Sequence, residues 1–246
     1  MASVPRIFSQ SRRQARARRH AALAACALPE DQFLRTHLAD DVLDRLDFMR
    51  LDPCPTLVLG DAAGLLAAQL TRRGHAVTAL EVDEEQPVPG QWPLIVSLLA
   101  LDTVNDLPGA LIHLRRALAP AGLLLACITG AGTLATLRAV LQEADGDRPA
   151  ARVHPQIDNQ IASGLMARAG FARQVVDSHT LPVTYRSLDR LLADLRLQGL
   201  TSVLADAPPP LTRAGLERAR AAFLARADAQ GRVAESFELH TLTGWG

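Results

Sequence analysis

The stretch from Pro55 to Gly74 constrains the fold more than any other. An apolar run, Thr56-Leu57-Val58-Leu59, halts at Gly60-Asp61-Ala62-Ala63-Gly64, after which Leu65, Leu66, Ala68, Gln69 and Leu70 carry a helical spacing as far as Gly74. Strand, glycine-bearing turn and helix, in that order, are how an α/β sheet receives a nucleotide-type ligand. The tight turn lets backbone N–H groups approach the ligand, and the helix N-terminus behind it favours negative charge. The same three elements also make an ordinary βα connection in a parallel sheet. Two glycines four residues apart leave both readings open.

The segments that follow extend an α/β pattern. His75 to Val82 reads as a second strand and Leu94 to Leu99 as a third. Only Asp83 to Pro93 separates them, broken by Pro87, Pro89, Gly90 and Pro93. A parallel crossover ordinarily needs a dozen residues or more and usually a helix, so the sheet is one βα unit short. Asn105 or Asp106 can cap the next helix, with Pro108 in its first turn, and that helix ends at Pro120-Ala121-Gly122. Leu123 to Ile128 is a buried strand, Thr133 to Glu143 and Ile161 to Ala169 are helices, and Gln174 to Ser178 and Leu181 to Tyr185 are strand segments. Pro182 places the latter at an edge or bend. Helices at Leu188 to Gln198 and Thr212 to Ala229 precede a final antiparallel strand, Ala234 to Leu242.

A chain of 246 residues suits one such domain with helical additions, and its zero net charge gives no nucleic-acid signal. All 26 basic residues are arginine. Cys26, Cys54 and Cys127 lie far apart without metal-ligand spacing, as in a reduced, cytoplasmic setting. No apolar run is long enough to span a membrane. The N-terminal part (1–52) reads as a helical cap. Its first helix, Ser11 to Arg19, is rich in arginine; a solvated face is the simpler expectation, a flap over an anionic ligand the functional one. The basic start could also be an organelle transit segment, but a native helix fits better. A second helix, Glu30 to Met49, lines up Phe33, Leu34, Leu38, Val42, Leu46 and Met49, with Asp40, Asp41, Asp44 and Arg45 outward.

Three further stretches carry a resemblance. Val96-Ser97-Leu98-Leu99-Ala100-Leu101, running on through Val104-Asn105-Asp106-Leu107-Pro108, resembles the segment (S)LxLHWVNDLPxAL of one branch of the class I S-adenosylmethionine-dependent methyltransferases. Ile7-Phe8 with its arginine-rich helix, and Gly244-Trp245, resemble that branch's two ends. The branch holds the mitochondrial complex I assembly factor that hydroxylates an arginine, its bacterial relatives and, more distantly, the malonyl-carrier-protein methyltransferase of biotin synthesis. The resemblance implies a Rossmann-like methyltransferase sheet over residues 53–246, shortened by one βα unit, with a helical insertion or lid at 187–230 before the last strand.

It also implies a site. S-adenosylmethionine would lie over Gly60, Asp61 and Gly64, with Glu81 or Asp83 on the nucleoside and Ser97 and Leu98 beneath the reacting centre. Asp102, His113, His154 and Tyr185 are further candidate groups; no catalytic residue is assigned and no metal-ligand set is visible. The departures are specific. Where the family's first motif resembles LDLGCGxG, this chain has Val58 for the acid, Asp61 in the cysteine-like position and Ala62 for the middle glycine. A methyl group at Ala62 intrudes on the ligand, and Asp61 would face the methionine carboxylate, like charge to like. Thr103 replaces an aromatic residue, and Asp102 a histidine or glutamine. In the shortened sheet a single run must serve: as strand two, it makes Glu81 or Asp83 the ribose acid and strand three is lost; as strand three, which the spacing to Val96 favours, Asp83-Glu84-Glu85 resembles the family's adenine-side segment and strand two is lost. Two functions follow: a methyltransferase-family protein with a degenerate cofactor site, acting on a protein substrate or a respiratory complex I subunit, or a non-catalytic binding or assembly protein on the same fold. The setting would be the bacterial cytoplasm or the mitochondrial matrix.

Overall fold

The computed structural model describes residues 6–80 and 85–246. Two helices, α1 (Gln10–Ala24) and α2 (Phe33–Met49), precede the sheet. Then come β1 (Pro55–Leu59), α3 (Leu65–Arg72), β2 (Ala76–Leu80), β3 (Trp92–Leu98), α4 (Leu107–Arg116), β4 (Leu118–Thr129), α5 (Ala135–Asp145) and α6 (Asn159–Arg168). The chain closes with β5 (Arg173–Tyr185), α7 (Leu188–Leu197), α8 (Arg213–Leu224) and β6 (Val233–Trp245). The strands form one Rossmann-like sheet in the order β2-β1-β3-β4-β6-β5. The first four are parallel, and β6 runs antiparallel to both β4 and β5.

The central strands β1, β3 and β4 are covered on both faces, which is why they read as unbroken apolar runs. Within β1, Val58 joins the core beneath α2, α3, α5, α7 and α8, while Leu57 and Leu59 join the one beneath α4 and α6. β5 is one continuous strand where two segments were expected; Pro182 is tolerated because β5 is the sheet's edge.

One expectation is overturned. Ala76–Leu80 pairs directly with β1, from Pro55↔Ala76 to Leu59↔Leu80, so it holds the place of strand two. The lost unit is the outermost one. Helix α3 gives a normal crossover from β1 to β2, and the link to β3 then only has to return from the edge.

The three stretches that carry the resemblance turn out to be joints. Phe8 N–H donates to Asn105 Oδ1 at 2.8 Å, and Asn105 Nδ2 donates to Phe8 O at 3.2 Å. Asp106, not Asn105, caps α4, accepting from Gly109 N–H at 2.9 Å. Phe8 also bridges to Leu204 and packs edge-on against the His154 ring at 5.3 Å. At the other end, a Cβ on Gly244 would stand 2.6 Å from Met166 and Phe171, and the Arg173 guanidinium lies 5.3 Å from the Trp245 ring. Among the described residues no helix is long and apolar enough to cross a membrane.

Candidate functional site

Gly60 ends β1 in a left-handed conformation, φ +77°, and an added Cβ would lie 2.3 Å from the Leu98 carbonyl oxygen. Only glycine lets the turn after β1 pass so close to the end of β3. The two strand ends open into a cleft of ≈ 870 Å³. Its floor includes Gly60, Asp61, Leu98 and Leu99; α1 supplies one wall through Arg13, Arg16 and His20, and the segment after α7 another. The carboxyl ends of parallel strands are where open α/β sheets take their ligands.

The cleft is basic. Arg35 projects from the buried face of α2 and is 6% exposed. Its Nη1 donates to Gly60 O at 2.6 Å and its Nε to Gln198 O at 3.1 Å. Arg16 donates through Nη2 to Thr103 Oγ1 at 2.9 Å and through Nη1 to Thr201 O at 3.3 Å. Among the described residues these bonds all end on carbonyl or hydroxyl oxygens. Burial brings both guanidiniums down to about 10, so both stay charged at neutral pH. His20, buried beside them, is driven to about 3 by burial and then by Arg35 and Arg16. Asp102 is the cleft's acidic counterweight. Thr129 donates to its Oδ1 from the backbone N–H at 2.7 Å and from the hydroxyl at 2.5 Å, and its buried Oδ2 has no hydrogen-bond partner among the described residues. Burial nevertheless pushes Asp102 up to about 6.

The anticipated residues divide. Gly60, Asp61 and Leu98 line the cleft, as do Asp102 and His154. Asp61 turns its carboxylate onto α3, accepting from Leu65 N–H at 3.1 Å and Ala67 N–H at 2.8 Å. The helix N-terminus expected to attract a ligand's anion is thus occupied from within the chain. Gly64, φ +68°, is the N-cap of α3 and does not line the cleft. Ser97 is fully buried within β3 and does not line it either. His113 sits on α4, and Tyr185 is buried in the core, its phenol pushed up by burial and then by Asp194 and Glu235. Glu81 and Asp83 lie outside the described residues. The arginine-rich helix does more than offer a solvated face, since Arg13 and Arg16 point into the cleft. Sequence reasoning missed Arg35 and His20. Arg35 was findable: three residues before Leu38 and four before Ala39, it shares the helix stripe that is otherwise apolar.

No model of a protein family matches the chain. The malonyl-[acyl-carrier protein] O-methyltransferase of Halorhodospira halophila is 30% identical over 244 residues, covering 87% of this chain and 81% of that protein. The mouse mitochondrial arginine-hydroxylase NDUFAF5 is 26% identical over 240 residues, covering 87% and 70%. Among solved structures, the YcgJ protein of Bacillus subtilis superposes with a TM-score of 0.49 at 12% identity, over 81% of this chain and 97% of that one. The chain therefore belongs to the class I S-adenosylmethionine-dependent methyltransferases, in the branch that holds malonyl-[acyl-carrier protein] O-methyltransferase and NDUFAF5.

Proposed function

We propose that the cleft binds an S-adenosyl ligand and that the chain is a methyltransferase with an altered cofactor site, serving respiratory complex I assembly. The observation that carries the binding reading is the cleft at the carboxyl ends of β1 and β3, lined by Gly60, Asp61 and Leu98. Gly60 and Asp61 would hold the ligand's amino-acid end, Leu98 would lie beneath the reacting sulfur, and Glu81 or Asp83 would take the nucleoside. When bound, S-adenosylmethionine supplies a methyl group on a sulfonium. The chain's own task is to position the acceptor and keep water out, which accounts for much of the rate of such a transfer. The complex I role rests on the likeness to NDUFAF5.

Ala62 and the consumed helix N-terminus favour the second reading, a non-catalytic assembly protein on the same fold. Calorimetric titration with S-adenosylmethionine and S-adenosylhomocysteine, with Gly60→Arg as control, separates them. Micromolar binding that the variant abolishes supports the methyltransferase. No heat and no thermal shift at millimolar ligand refutes it, and capture of complex I subunits would then test the assembly role.

A further inference from the structure

Away from its arginines the cleft has a wall of leucines. Leu134, Leu137 and Leu141, spaced i, i+3 and i+7, make one stripe along α5; Leu192 and Leu195, spaced i and i+3, make another on α7, continued by Leu200. α8 packs against both helices and fixes their spacing. Leu141, Leu192 and Leu200 are only half-buried, so part of this apolar surface stays open. The polar groups beside the stripes are committed elsewhere. Arg152 forks onto Asp145 at 2.6 to 3.0 Å, and Thr133 Oγ1 donates to Glu238 O at 2.8 Å. Arg196, which α7 adds to the lining, is exposed. The lining carboxylates among the described residues are Asp61 and Asp102, at the strand ends, and none comes from α5 or α7. The described lining residues also include no Phe, Tyr or Trp. A guanidinium or ammonium seated between the stripes would lose its water and meet no carboxylate from either helix. A flat ring would find no aromatic face to stack on. An aliphatic chain fits, gaining about fourfold in affinity per buried methylene. The cleft's ≈ 870 Å³ lies high in the range of ~300–1,000 Å³ usual for ligand sites, leaving room for a chain beside a nucleoside. We infer that the leucine walls of α5 and α7 form a subsite for the aliphatic chain of an apolar acceptor. That the chain's owner accepts a methyl group rests on the S-adenosyl reading above; that the chain binds does not.

The test uses N-phenyl-1-naphthylamine, a neutral dye that brightens in apolar surroundings, displaced by 1-hexanol, 1-octanol or 1-decanol, with agmatine as the charged guanidinium control. The wild type is expected to bind the dye, to prefer each alcohol about tenfold over the one two methylenes shorter, and to ignore agmatine. Leu141→Gln and Leu192→Gln are expected to weaken 1-decanol at least tenfold while leaving S-adenosylhomocysteine affinity within twofold. Should either not fold, Leu200→Gln, beyond the end of α7, takes its place. A wild type that binds 1-decanol in this way but not S-adenosylhomocysteine defeats the S-adenosyl reading and keeps the subsite. Variants of wild-type circular dichroism and melting temperature that bind 1-decanol as the wild type does overturn the proposal. So does a wild type that binds no alcohol, or one whose dye agmatine displaces as readily as 1-decanol.

Discussion

Gly60 answers two demands at once, a left-handed backbone and a close pass by the Leu98 carbonyl. Gly60→Ala is expected to cost about 3 kcal/mol, visible as a lower melting temperature, because strain and clash act together. Asp61 is different in kind. Asp61→Ala removes two bonds at the N-terminus of α3 and is expected to cost about 1 kcal/mol, visible as a lower melting temperature. Unchanged melting would show that those bonds are not made. The buried histidines set a pH limit. His154 Nε2 accepts from Val203 N–H at 2.8 Å and must stay unprotonated to do so; burial, with help from Arg16, holds it at about 4, and His20 lies at about 3. Both are lowered from an ordinary 6.5, so the stability they confer is complete above pH 6.5 and is lost as pH falls toward the folded values. Asp102, raised to about 6, works the other way, adding stability as pH falls below 6. The two histidines outweigh it by about 2 kcal/mol at pH 5. Urea midpoints should therefore be lower at pH 5 than at pH 7.5, and equal midpoints would refute this balance.

At the scale of elements, the pieces that made the family recognisable serve the fold. The Ile7-Phe8 opening and the Val104 to Pro108 segment are distant in sequence and hydrogen-bonded in space through Asn105. A reader of the sequence sees two short motifs; their contact depends on a tertiary approach that no local spacing encodes. The helices and central strands were legible because their apolar periods are strong, and the short link after β2 revealed the missing unit. Which unit was missing was not legible, since spacing along the chain does not report pairing across the sheet. The electrostatics of the cleft were hidden for a related reason. Arg16 looked like its neighbours in a charged run, and only packing of α1 against the strand ends separates it from them. Phe8→Ala removes a buried ring from the Leu204 and His154 contact and is expected to cost about 3 kcal/mol. Hydrogen exchange should show the α1 amides losing protection before those of β1; equal loss would mean that α1 is held by something other than Phe8.

The whole molecule is built on a sheet with an edge strand on each flank, β2 and β5. Among the described residues β5 pairs along its full length with β6 and β2 with β1, and each has a neighbour on one side only; β2 is the shorter, at five residues, with an exposed burial pattern. Amides of Ala76–Leu80 are expected to exchange well before those of β3 and β4, as hydrogen-exchange mass spectrometry can check; uniform protection across the sheet would show that the edge is covered. The cleft lies between rigid and detachable parts. Its floor belongs to the buried centre of the sheet, while one wall, α1, is tied down by Phe8, by the Ser9 N–H bond to Val203 O and by Arg16. Such a wall makes occupancy a matter of time as well as strength. A guest held by both parts departs when the terminal segment peels away, so dwell time is expected to follow the opening rate of that segment and to shorten on warming, whatever the equilibrium constant.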